Sequence, residues 1–152
     1  MTREEFLATF GGIYEASPWV AEACWPPPTD LAAAMRAVVD AAPRARKLAL
    51  IRAHPELASR TRMAEASVRE QAGVGLDQCS PDEFAAFQRL NAAYNARFGF
   101  PFIYAVKGAA RAEILAAFEA RLTNDPEVEF ETAIAQIHRI AGFRLADLLQ
   151  EP

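Results

Sequence analysis

The sequence predicts an all-α protein, a single compact multi-helix domain over residues 1–152 with one short extended segment near residues 101–107. Three observations carry this. Ala and Leu dominate an apolar content of 52%, while Gly and β-branched residues are few. Apolar residues recur at three- and four-residue steps through most of the chain. Pro, Gly and capping residues fall between those stretches, where helices begin and end. At 152 residues the chain is near the commonest size for one core.

Thr2 followed by Glu5 has capping-box spacing for a helix with Phe6 and Phe10 on one face, stopped at Gly11-Gly12. Ser17-Pro18 opens a second, short helix that Pro26-Pro27-Pro28 ends. From Thr29 to Ala42, Leu31, Met35, Val38 and Val39 recur at helical spacing, and Pro43 closes that helix and can start the next, whose inner face is Leu48 and Ile51. The residue before a proline is pushed out of the α region, so His54, ahead of Pro55, is expected at or just past a helix end.

Residues 59–74 are polar with weak periodicity; Ser67-x-x-Glu70 has capping-box spacing and is expected to begin a turn of helix that Gly73 and Gly75 end. Ser80-Pro81-Asp82-Glu83 is the clearest helix start, and Phe84, Phe87, Leu90, Tyr94 and Phe98 carry that helix to about residue 97. The aromatic and β-branched run Phe98–Gly108 reads as the extended segment. A lone strand has no ladder partner, so its backbone groups must be satisfied by loops, helices, a second chain, water or a ligand. A helix from about Ala110 to Leu122 buries Ile114, Leu115 and Phe118, and Asn124-Asp125-Pro126 breaks it. The last helix is expected to turn Phe130, Ile134, Ile137, Ala141, Leu145 and Leu148 inward.

A net charge of -4, with both signs interspersed, offers no basic stripe for nucleic acid or an anionic membrane. No apolar run approaches the roughly twenty residues of a bilayer span. Two cysteines, Cys24 and Cys79, make no disulfide framework and no Cys-x-x-Cys pair. The acidic start Met1–Glu5 is unlike a signal peptide and the ending lacks Ser-Lys-Leu, so a cytoplasmic location is expected.

Chemistry near neutral pH has two histidine candidates. His138, between Ile137 and Ile140 beside the buried stripe, is expected to be structural. His54 is open between a group projecting into a cleft and a histidine capping helix-terminal carbonyls. No metal-ligand spacing occurs, Gly73-x-Gly75 is not a dinucleotide fingerprint, and nothing near Cys79 suggests an activated thiolate. The backbone after Pro101 has unpaired amides that suit a planar heterocycle.

Six stretches, in order along nearly the whole chain, carry a resemblance: Phe10–Trp19 (Phe-Gly-Gly-Ile-Tyr-Glu-Ala-Ser-Pro-Trp), His54-Pro55-Glu56-Leu57-Ala58, Ser67-x-x-Glu70-Gln71-x-Gly73, Leu90-Asn91-x-x-Tyr94, Phe98-Gly99-Phe100-Pro101-Phe102, and Arg139-Ile140 with Arg144-Leu145. The chain resembles the OHCU decarboxylases, which convert 2-oxo-4-hydroxy-4-carboxy-5-ureidoimidazoline to (S)-allantoin after urate oxidation in purine breakdown. The resemblance implies one all-α domain, commonly a homodimer, with no metal or organic cofactor. It implies that His54 is catalytic with Glu70 as its acidic companion, and that Pro55, Ser67 and Gln71 line the substrate site. It further implies that the stretch Phe102, Ile103, Tyr104, Ala105 and Val106 holds the ureidoimidazoline through its backbone, and that Arg144 reaches in from the last helix.

On that basis His54 exchanges the proton that accompanies loss of carbon dioxide. Glu70 sets tautomer and pose through His54 or a ring N–H. Arg144 offsets the substrate carboxylate or holds a carbonyl. Two other classes fit the sequence: a cofactor-free lyase or hydrolase acting on a related ureide or hydantoin, and a helical interaction domain with no catalytic pocket.

Overall fold

The computed structural model describes residues 1–59 and 65–150. Among them are eight α-helices and no strand: α1 (Arg3–Phe10), α2 (Trp19–Glu22), α3 (Leu31–Asp40), α4 (Arg44–Ala53), α5 (Glu65–Gly73), α6 (Pro81–Phe98), α7 (Arg111–Arg121) and α8 (Pro126–Leu149). A 3₁₀ turn, Leu76–Gln78, joins α5 to α6. No helix among the described residues is long and apolar enough to cross a membrane.

The helix starts follow from local chemistry. Thr2 Oγ1 accepts from the Glu5 N–H at α1, and Asp30 caps α3 by accepting from Ala33 N. At α6, Ser80 Oγ accepts from Glu83 N while the Glu83 carboxylate accepts from Ser80 N, a complete capping box with Pro81 in the first turn. Gly99, at φ 76°, ends α6 in the left-handed region where glycine pays no Cβ penalty.

Two expectations fail. Helix α5 is already under way at Glu65, so Ser67 lies inside it and does not cap it. The Ser67 hydroxyl donates instead to the Glu15 carboxylate, a distant partner that spacing alone does not disclose. Leu148 is 38% exposed, because α8 outruns the core in its last turn. In α4 it is Leu50 and Ile51 that are fully buried, with Leu48 partly buried against the same core.

Helix α8 packs on α3 and α4, and α6 packs on α7. Between these layers, residues 100–106 run without helix or ladder through an aromatic cluster. Tyr94 is its centre, with the rings of Phe98, Phe100, Phe102 and Phe118 all within 6 Å, and Phe102 stacks on Phe118 at 3.9 Å. Burial of these rings fixes the path of the extended segment, and the segment forms one wall of the site.

Ser80→Ala removes the capping oxygen of α6 and is expected to lower the unfolding free energy by about 1 kcal/mol in urea denaturation. A loss within experimental error would show that the box contributes nothing to the start of this helix.

Candidate active site

Pro55 forces His54 out of the helix at φ -77° and ψ 142°, at the C-cap of α4. Its Nδ1–H donates to the Leu50 carbonyl at 3.0 Å, which leaves Nε2 as the unprotonated nitrogen. Among the described residues Nε2 has no hydrogen-bond partner. Burial lowers the pKa of His54 below the ordinary 6.5; the Leu50 carbonyl, Glu15 and Glu70 pull it back up, and Arg144 pushes it down. The imidazole is therefore neutral at pH 7.

The loop after His54 is gripped by side chains of α5 and α6. Gln71 Oε1 accepts from Ala58 N at 2.9 Å, and Gln71 Nε2 donates to the Glu56 carbonyl at 3.3 Å. Asn91 Nδ2 donates to the Leu57 carbonyl, and Asn95 Nδ2 donates to the Glu56 carboxylate at 2.6 Å. Ala58 sits at φ 56°, unfavourable for a residue with a Cβ, and these bonds hold it there.

Arg144, buried on α8, forks onto Glu70: Nε donates to Oε2 at 2.7 Å and Nη2 to Oε1 at 2.9 Å. Nη2 also donates to Ser67 Oγ at 3.1 Å, and Nη1 meets Glu15 Oε1 at 2.9 Å and the carbonyls of Gly12 and Ile13 at 3.4 Å. Every N–H of the guanidinium has a protein partner. One buried cation thus ties the α1–α2 connection, α5 and α8 together.

These groups surround one cavity of about 860 Å³. Its walls include His54, Pro55, Ser67, Glu70, Gln71, Arg144 and the whole stretch Phe102, Ile103, Tyr104, Ala105 and Val106, so every site residue expected from the sequence lies on it. Their partners differ from expectation in three ways. Glu70 hydrogen-bonds Arg144 and not His54. The Arg144 fork is closed onto Glu70 and not open to a ligand. The Gln71 amide is engaged with the loop backbone.

Glu15 is 4% exposed and holds both Arg144 and Ser67, yet carries no sequence signal beyond lying inside the Phe10–Trp19 stretch. His138 stands apart: Tyr14 Oη donates to its Nδ1 at 2.8 Å and its Nε2–H donates to Asp40 at 2.9 Å, which satisfies both nitrogens. Burial pushes the Cys79 thiol up, away from thiolate character, and its Sγ donates to the Leu76 carbonyl. Among the described residues no group of three or more His, Cys, Asp or Glu is placed to hold a metal ion.

A family model described as OHCU decarboxylase matches residues 1–146. The chain belongs to the OHCU decarboxylase family. The 2-oxo-4-hydroxy-4-carboxy-5-ureidoimidazoline decarboxylase of Haloferax volcanii is 44% identical over 149 residues, covering 95% of this chain and 89% of that protein. The uric acid degradation bifunctional protein PucL of Bacillus subtilis is 42% identical over 156 residues, covering 99% of this chain and 32% of PucL. A crystal structure of (S)-allantoin synthase superposes with a TM-score of 0.78 at 35% identity, covering 97% of this chain and 51% of that one. The all-α arrangement expected from the sequence is the OHCU decarboxylase fold.

In this family member the cavity wall rests on the Arg144 cluster. Arg144→Met leaves Glu15 buried without its cation and is expected to lower the unfolding free energy by about 3–5 kcal/mol in urea denaturation. A loss of less than about 1 kcal/mol would show that the guanidinium does not hold these segments together.

Proposed function

We propose that this chain decarboxylates 2-oxo-4-hydroxy-4-carboxy-5-ureidoimidazoline to (S)-allantoin in urate breakdown, with His54 as the proton-transfer group. The observation that supports this best is a neutral imidazole, its Nδ1 pinned to Leu50 and its Nε2 without a partner among the described residues, lining the same cavity as Glu70, Arg144 and residues 102–106. The names of the Haloferax protein and of (S)-allantoin synthase supply the substrate and the product.

Loss of carbon dioxide breaks the bond from the hydroxyl-bearing ring carbon to its carboxylate, and the released pair moves into the adjacent ring C=N, conjugated with the ring carbonyl. The substrate is its own electron sink, so the reading includes no cofactor. The ring nitrogen takes up one proton from solvent, giving an enol. His54 Nε2 then accepts the enol proton and returns it to the ring carbon bearing the ureido group, so that the hydroxyl becomes the allantoin carbonyl and the imidazole ends neutral. One proton is consumed per turnover, and delivery to a single ring face makes the product chiral.

Two carboxylates, Glu15 and Glu70, share the Arg144 guanidinium, and Arg69, Lys107 and Asp147 add further charges to the cavity lining. Arg144 meets the substrate as a charge in the wall, since its N–H groups are occupied. The same reading includes a homodimer in the cytoplasm; two free thiols suit a reducing compartment, and light scattering of the purified protein tests the dimer.

His54→Asn is expected to abolish enzymatic carbon dioxide release while leaving the helical circular dichroism and melting temperature nearly unchanged. Full activity, or racemic wild-type product formed at the uncatalysed rate, ends the proposal. Turnover of a hydantoin in place of this substrate would assign the site to a related reaction.

The pH profile provides a second check. Catalysis requires neutral His54, so kcat/KM is expected to be flat above about pH 6.5 and to fall at lower pH with a midpoint below 6.5. The unfolded chain binds this proton first, so stability falls along with activity as pH drops from about 6.5 toward the folded-state value. A kinetic midpoint above 6.5 would contradict the role of the buried imidazole.

A further inference from the structure

Glu129 has no exposed surface, lies away from the cavity lining and takes no part in the chemistry above. It is nonetheless held on three sides: Tyr94 Oη donates to Oε1 at 2.6 Å, Arg121 Nε donates to the same oxygen at 2.6 Å, and Asn124 Nδ2 donates to Oε2 at 3.0 Å. Arg121 Nη1 reaches on to the Ile103 carbonyl at 2.7 Å, and its guanidinium lies 4.3 Å over the Phe102 ring. Arg121 Nη2 is buried with no hydrogen-bond partner among the described residues. A buried ion pair with an unsatisfied donor is poor stabilisation, since apolar residues of similar size often serve as well or better. Its value must lie in what it positions.

The geometry identifies that target. Gln136 Oε1 accepts from Ala105 N at 2.9 Å, two residues beyond the carbonyl held by Arg121. In an extended chain the backbone groups of residues i and i+2 point to one side and those of i+1 to the other. Residues 103 and 105 are therefore fastened on the side of α7 and α8, which turns the N–H and C=O of Tyr104 the opposite way. No described residue hydrogen-bonds the Phe102 or Tyr104 backbone. We propose that the buried Glu129–Arg121 pair, with Gln136, is a clamp that sets the direction of the Phe102 and Tyr104 backbone groups, so that they bind the amide edge of a cyclic ureide in one orientation and fix which ring face is protonated. Glu129 and Arg121 are positioning residues, acting through the Ile103 carbonyl. This proposal rests on the decarboxylase reading.

Arg121→Lys keeps the charge but cannot span Glu129 and the Ile103 carbonyl with one planar fork. It is compared with wild type and with Val39→Ala, a core substitution outside the site that controls for lost stability. The readouts are KM, the enantiomeric excess of freshly formed allantoin, and calorimetric binding of (S)-allantoin. Arg121→Lys is expected to raise KM and the allantoin Kd about tenfold and to lower the enantiomeric excess, with Val39→Ala unchanged in all three. Unchanged values in Arg121→Lys overturn the clamp. If Arg121→Lys does not fold, Gln136→Leu, which releases only Ala105 N, is read the same way, with wild-type values again overturning it. Wild-type protein that binds (S)-allantoin without decarboxylating the substrate ends the decarboxylase reading, and the binding comparison still decides the clamp. Wild-type protein that does neither overturns both.

Discussion

A single buried guanidinium holds the site together. Arg144 comes from near the end of α8, and its partners come from the α1–α2 connection and from α5, segments far apart in the chain. Taking such a cation out of water is costly, and the cost is met only while all its N–H groups remain engaged. That requirement fixes the relative placement of Glu15, Ser67 and Glu70. It also explains why the arginine contributes charge to the cavity but no free donors.

The imidazole obeys a different constraint. Proline determines where the helix ends, the Leu50 carbonyl selects the tautomer, and burial keeps the ring neutral. The Arg144 cluster and the Glu129–Arg121 pair lie in different parts of the fold, one fixing the charged wall and the other the amide wall. His54 sits on the first wall, its basicity tuned by charges that belong to the scaffold of that wall.

How much the sequence discloses depends on how far the deciding partner lies along the chain. Ser80 and Thr2 cap their helices through residues three positions away, and the Pro55 effect on His54 is a nearest-neighbour one, so these features are readable from local pattern. Ser67 has the same local pattern as Ser80 and does something else, because Glu15 stands 52 residues away. Composition and periodicity predict the helices, but they do not predict that Arg144 meets Glu70 across 74 positions. For the site, the resemblance in six short stretches pointed to the cavity lining, whereas the pairings among those residues emerge only from packing. Glu15, Arg121 and Glu129 read as ordinary charged surface letters until the fold brings their partners to them.

The run from Phe100 to Val106 is the sort of aromatic, β-branched sequence that pairs readily with a copy of itself when its backbone lies bare at the edge of a sheet. Among the described residues it has no neighbouring strand, yet all but Tyr104 are buried, with helices on one side and the cavity on the other. This aromatic stretch is thus kept inside the molecule. The folded protein is protected from aggregation through this segment by the same enclosure that forms its cavity wall, and conditions that open that wall expose both at once.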